Sequence, residues 1–147
     1  MSKFFLNQPI KFQCIQCGKC CDVENGVVYL TGEDQILIAD FLTMSLKNFQ
    51  NKFMKRNGEG IWEIRDEHPS RCRFLVDHQC SIYPVRPLQC RLYPFWSTIL
   101  KDCKTFYREP CPGIGKGEPV DINLIKTYYV LHRNFLSQLS LESINEN

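Results

Sequence analysis

Three stretches of the chain place apolar residues at helical spacing, and several shorter ones read as strands. Thr31-Gly32-Glu33-Asp34 is a capped helix start, a capping box with Asp in place of Glu. Ile36, Leu37, Ala39, Asp40 and Leu42 continue it as a helix of about three turns. Ser45 reads as the next N-cap, with Leu46, Phe49, Phe53 and Met54 at helical spacing after it. Asp121 caps a final packing helix over 121–140, where Ile125, Tyr128, Tyr129, His132, Phe135, Leu136 and Leu139 share one face. Ser143 to Asn147 read as a frayed end.

Val27–Leu30 is strand-like, and Asn57-Gly58-Glu59-Gly60 is a turn leading into a strand at Ile61–Arg65. Arg73–Val76 and Ser81–Tyr83 pair as a hairpin around Asp77-His78-Gln79. Pro84 and Pro87 stop the second strand, and Pro87 can open a helical turn through Cys90 and Arg91. Residues 1–13 read as an extended lead-in and Pro112–Pro119 as a Gly-rich loop. The pattern predicts a single small, irregular α+β domain over 1–147, with about three helices packed on short strands.

Composition changes this picture in one respect. The chain has 147 residues and nine cysteines, and Cys14, Cys17, Cys20 and Cys21 crowd into the run C-I-Q-C-G-K-C-C. Cys72, Cys80, Cys90, Cys103 and Cys111 follow. The N-terminal apolar run is too short for a signal peptide, and no stretch approaches the roughly 20 apolar residues of a membrane span. These features predict a cytoplasmic protein with reduced thiols. The odd cysteine count and the adjacent pair argue against a secreted disulfide scaffold. Cysteine density then points to metal, and metal loops stand in for part of a conventional core.

The net charge of +2 argues against a nucleic-acid partner. Eight thiolates holding two divalent ions would change that by 4 − 8 = −4, to near −2.

Cys14-x-x-Cys17 can chelate one ion, and Cys14-x-x-Cys17-x-x-Cys20 matches the first three ligands of a ferredoxin-type run. Cys21 follows at once, where such a run would place its fourth ligand later. Adjacent side chains usually diverge, so Cys20 and Cys21 suit two neighbouring sites or two corners of a cluster. Cys72, Cys80, Cys90 and Cys111 are the candidates for the remaining ligands. Eight thiolates divide into two tetrahedral zinc sites, or into an iron–sulfur cluster of the 4Fe-4S kind with or without zinc. His78, two residues before Cys80, is the one plausible nitrogen ligand. Arg86 and Arg91 flank Cys90 and could offset thiolate charge. Tyr83, Tyr93, Phe95 and Trp96 could keep water from the site. Cys103, between Lys101 and Lys104, stands apart as an incidental thiol.

The chain resembles the CxxCxxCC cysteine-cluster proteins (YkgJ-like), a zinc- or iron-chelating domain. The resemblance runs through Cys14-x-x-Cys17-Gly18-x-Cys20-Cys21 and Cys72-x-Phe74-Leu75. It continues with Cys80-x-Ile82-Tyr83-x-x-Arg86-Pro87-x-x-Cys90-Arg91-x-Tyr93-Pro94-Phe95 and ends at Cys111-Pro112-Gly113-x-Gly115-x-Gly117. It covers most of 14–117 and implies metal ions as ligands of the eight motif cysteines. That family is in turn similar to the cysteine-rich part of flagellin lysine-N-methylase. The resemblance therefore implies chelation first. An S-adenosylmethionine-dependent methyltransferase using an iron–sulfur cluster is one alternative, and a metal-trafficking or redox-sensing protein with a protein partner is another. Against methyl transfer, no Rossmann fingerprint follows a strand.

Overall fold

The computed structural model describes residues 4–145, with side chains through residue 140. Among these residues the helices are α1 (Gly32–Phe41), α2 (Leu46–Phe53), α3 (Leu88–Leu92), α4 (Cys103–Tyr107) and α5 (Ile122–Asn145). The strands are β1 (Lys11–Phe12), β2 (Met54–Arg56), β3 (Trp62–Ile64), β4 (Leu75–Val76), β5 (Gln79–Cys80) and β6 (Ile114–Pro119). They pair antiparallel as β1–β6, β2–β3 and β4–β5. The protein is a small mixed α+β fold, with short α3 and α4 added to the three helices that periodicity predicts. The chain divides into two compact units. One is Cys17–Arg91 with the chain from Gln138 onward, and the other is the chain up to Gln16 with Leu92–Ser137.

In the unit built on Cys17–Arg91, local chemistry sets the helix starts. The Thr31 hydroxyl accepts from Asp34 N, and the Asp34 carboxylate accepts from Thr31 N, which completes the predicted capping box. The Ser45 hydroxyl accepts from Asn48 N and starts α2. The core is Leu30, Ile38, Ala39, Phe49, Met54, Ile64, Phe74 and Ile82, with Cys72 and Cys80 packed against it. Helix α1 departs from simple patterning. It buries Asp34 and Gln35 and leaves Ile36, Leu37 and Phe41 exposed. Gln35 is satisfied inside, donating to the Leu30 carbonyl and accepting from Gln50 Nε2. Val27–Leu30 joins the β2–β3 pair only through a Tyr29–Glu63 bridge and flanking bonds, Leu30 N to Trp62 O and Ile64 N to Val28 O. The β4–β5 hairpin pairs Leu75 with Cys80 and Val76 with Gln79. Asp77 and His78, both at positive φ, form its two-residue turn.

The other unit is held by aromatic packing. Phe5, Ile10, Phe95, Ile99, Leu100, Phe106, Ile125 and Tyr129 form its core. Phe95 stacks on Phe106 at 6.2 Å, and Phe12 meets Phe95 edge-on at 5.4 Å. Ile125, Tyr129, His132, Phe135 and Leu139 are the buried stripe of α5, while Leu136 is exposed. Asp121 accepts from Asn123 N as predicted. The helix continues to Asn145, past the 121–140 span and into the expected fray, and 146–147 lie outside the described residues.

Three expectations are corrected here. The second hairpin strand is Gln79–Cys80 rather than Ser81–Tyr83, because the turn at Asp77 and His78 closes a residue earlier, and Tyr83–Val85 is a 3-10 turn. The lead-in contains a 3-10 turn at Phe4–Leu6 before β1. The Gly-rich segment is strand β6 rather than a loop, because β1 supplies its backbone partner. Gly113 is required there: a Cβ would stand 2.3 Å from the Gln13 carbonyl oxygen.

Candidate metal centre

The N-terminal cysteine loop is shaped by glycine. Gly18 has φ 77°, and a Cβ on it would lie 2.6 Å from the His78 carbonyl oxygen and 2.9 Å from Leu75 Cδ1. The loop is therefore pressed against the β4–β5 hairpin, which carries Cys80. After Gly18 the chain makes a 3-10 turn at Lys19–Cys21, closed by Cys21 N donating to Gly18 O. Cys72 N then donates to Cys21 O at 2.7 Å, which fastens the loop to the second cysteine group. Asn25 N donating to Pro69 O repeats that tie nearby.

Side chains follow the backbone. Cys21 is electrostatically tied to both Cys20 and Cys72. Donation from Cys21 is the main reason the Cys20 thiol is lowered to about 6; its own backbone and the Arg86 guanidinium add to this, against burial. The same donor lowers Cys72. Cys21, holding the proton for both neighbours, is raised. Burial pushes up Cys80, and it pushes up Cys90 strongly. Both feel the charges of Cys72 and Cys20. Five cysteines thus share one electrostatic environment.

Helix α3 positions Cys90, and two residues hold that helix. Asp34 accepts from Leu88 N at 3.1 Å. Gln89 accepts from Tyr29 N and donates to the Val27 carbonyl. Burial raises the Asp34 carboxyl, against its backbone hydrogen bonds and the Arg91 charge. Sequence reasoning gives Asp34 only a cap and misses Gln89. The capping box was the available signal for the first, and the second leaves none. Arg86 lies 3.8 Å from the Tyr83 ring centroid, and Arg91 donates to the Arg86 carbonyl and faces Asp34 at 3.9 Å. His78 is an exposed turn residue whose carbonyl, not its ring, meets the loop.

Cys17 is half-buried in the same unit. Cys14 and Cys111 belong to the other unit, where the β1–β6 ladder organises their backbone. Gln13 N, next to Cys14, donates to Gly113 O, and Ile114 N donates to Cys111 O. Cys103 opens α4 behind the Asp102 N-cap, with its thiol 3.7 Å from Gln8 Oε1. Tyr93, Phe95 and Trp96 belong to the aromatic core and its border. His132 stacks on Trp96 at 5.4 Å, and its Nδ1 accepts from Ser97 N. Burial lowers it to about 4.

The sequence matches, over residues 13–112, the family described as "CxxCxxCC: Putative zinc- or iron-chelating domain". The chain belongs to the CxxCxxCC family. The matched span contains all nine cysteines of the chain. Among similar proteins is "Uncharacterized protein MJ0661" of Methanocaldococcus jannaschii, 34% identical over 88 residues, covering 58% of this chain and 46% of that protein. "Uncharacterized protein MJ0939" of the same organism is 26% identical over 116 residues, covering 74% of this chain and 39% of that protein. The chain spans less than half the length of each of these relatives. No solved structure matches.

The donor set suits the metal chemistry of the CxxCxxCC domain. Thiolates are the soft donors that a tetrahedral four-thiolate zinc site or an iron–sulfur cluster takes. Among the described residues, no three His, Cys, Asp or Glu side chains stand together in a metal-holding arrangement. The fit rests on donor chemistry and on the backbone tie between the two cysteine groups. Among the described residues, no helix is long and apolar enough to cross a membrane.

Proposed function

We propose that this CxxCxxCC protein is a cytoplasmic thiolate chelator that binds an iron–sulfur cluster or zinc through Cys14, Cys17, Cys20, Cys21, Cys72, Cys80, Cys90 and Cys111. The observation that carries the reading is the backbone bond from Cys72 N to Cys21 O, which ties the N-terminal cysteine loop to the second cysteine group. That contact supports a centre built by both cysteine groups. Adjacent Cys20 and Cys21 suit two corners of a cluster, which favours an iron–sulfur centre over an isolated zinc.

The chain's own residues would serve it in distinct ways. Gly18 permits the close approach of loop and hairpin, and Asp34 and Gln89 hold the helix that carries Cys90. Arg86 offsets thiolate charge at Cys20 and Cys80. A bound cluster would supply one-electron chemistry, and zinc a redox-silent crosslink.

Anaerobic purification with metal and acid-labile sulfide analysis and a visible spectrum tests the proposal. A brown protein with labile sulfide supports the cluster. A colourless protein with stoichiometric zinc supports the zinc form of the chelator. A folded protein with neither metal nor sulfide under both anaerobic and zinc-supplemented conditions would sink the proposal.

A further inference from the structure

We infer that the protein self-associates by docking α1 of one copy on α5 of a second copy, with Glu33 and Asp40 facing Lys126 and Arg133 and with Phe41 seated in a cavity beside Arg133. The inference stands apart from the metal reading, because none of these residues is a proposed ligand.

Helix α1 turns two kinds of side chain outward. Ile36, Leu37 and Phe41 are 57%, 45% and 45% exposed, and Glu33 and Asp40 are exposed among them. Positions seven apart lie two turns along one face, so the two carboxylates stand about 10.5 Å apart along the axis. Ile36 falls on one side of that acidic line, and Leu37 and Phe41 fall on the other. The helix contains no basic residue, and its third acid, Asp34, is buried.

Helix α5 presents the complement. Lys126 and Arg133 are also seven apart and exposed, and the helix has no acid from Ile122 to Ser140. Val130, 52% exposed, lies on one side of the basic line. On the other side opens a cavity of about 430 Å³, lined by Ser97, Thr98, Tyr129, Arg133, Leu136 and Ser137. Tyr129 and Leu136 give it an apolar wall for a ring, and the hydroxyls of Ser97, Thr98 and Ser137 give it a polar rim.

Equal spacing lets both ion pairs form at once, and the flanking residues set the direction. With the two helices parallel, Glu33 meets Lys126 and Asp40 meets Arg133. Ile36 then falls on Val130, while Leu37 and Phe41 fall on the Leu136 side, where the cavity is. A ring in a pocket beside desolvated ion pairs is the usual anchor of an interface. Antiparallel helices would carry Phe41 to the Asn134 side, away from the cavity. Among the described residues, neither charge pair meets an opposite charge in its own chain. One chain carries both halves of the match, so the occupant is a second copy. The contact is heterologous, since each copy offers a different face to the next. Two short helix faces cover less than the roughly 1,200–2,000 Å² of a stable interface, so the association is weak and concentration-dependent.

Sedimentation velocity of the full, anaerobically purified chain tests this over a wide range of concentration and salt. The average mass should rise above the monomer with concentration and fall back as salt screens the pairs. Glu33→Lys with Asp40→Lys should be monomeric, and so should Lys126→Glu with Arg133→Glu. Mixing the two variants should restore association, because the basic α1 of the first meets the acidic α5 of the second. Phe41→Ala should weaken association at least about tenfold with an unchanged circular-dichroism spectrum, since Phe41 packs on the outside. A wild-type chain that stays monomeric throughout would overturn the inference. So would a reversed variant that still associates alone, or a mixture that stays monomeric. Metal and sulfide content of the same samples reads the chelation proposal separately. Association without metal keeps the interface and sinks chelation, and metal without association does the reverse.

Discussion

The two units solve the problem of a small core in different ways. The unit of Leu92–Ser137 and the chain up to Gln16 fills its interior with rings, Phe5, Phe95, Phe106 and Tyr129 among them. The unit of Cys17–Arg91 has an aliphatic and aromatic core that runs out into sulfur, since Cys72 and Cys80 are packed against it. A ring core stabilises by excluding water, and it needs no ligand. A core bordered by thiols is completed only when something binds them, and a structural zinc can contribute on the order of 10 kcal/mol. The difference teaches where stability and metal content should separate.

The largest effect should come from Phe106→Ala. Phe106 is fully buried, and its loss should cost about 3–5 kcal/mol. Denaturant melts should show this, while metal per folded chain stays unchanged. A fall in metal content of the folded protein would erase the distinction between the units. Acid gives the next effect. His132 is held neutral by burial, with its usual value of 6.5 lowered to about 4. The unfolded chain therefore takes up a proton below 6.5 while the folded one does not. Its stabilisation is complete above 6.5 and is lost as pH falls through about 4, a change of up to about 3 kcal/mol. Melts of His132→Gln across that interval should show a flatter acid limb, and an unchanged slope would remove His132 as its source.

Gly18→Ala should have the opposite signature to Phe106→Ala. The side chain meets the His78 carbonyl at a positive φ, so about 1–3 kcal/mol of strain is expected. Metal content should fall by more than half as the loop leaves the hairpin. Retained metal would show that the approach is not needed. The smallest effect is predicted for Cys103→Ser. Among the described residues its thiol makes a long contact to Gln8, so stability should move by less than about 0.5 kcal/mol and metal content not at all.

What the sequence made legible was local chemistry. Thr31, Ser45 and Asp121 announce their helices because a side-chain oxygen reaches a backbone N–H a few residues on. The hairpin was legible in its first strand and turn but not in its second strand, which is Gln79–Cys80 rather than Ser81–Tyr83, and Pro87 announces the helical turn after it. Strand β6 was not, because its glycines carry no pattern and its partner is Lys11–Phe12, far away in sequence. Helix α4 was missed although Asp102 offers a cap to Thr105. In α1, burial of Asp34 and Gln35 follows from hydrogen bonds to Leu88, Leu30 and Gln50, which no periodicity encodes. At the site, the cysteine motif itself is plain in the sequence. The backbone tie from Cys72 to Cys21 is not, because it joins segments far apart in sequence.

The central claim is that the eight motif cysteines hold metal and the ninth does not. Differential alkylation tests it most directly. Metal-loaded and metal-stripped protein are labelled anaerobically, and each cysteine is quantified by mass spectrometry. The account predicts that Cys14, Cys17, Cys20, Cys21, Cys72, Cys80, Cys90 and Cys111 are protected by metal while Cys103 labels equally in both. Equal labelling of all nine, with metal present, would contradict it.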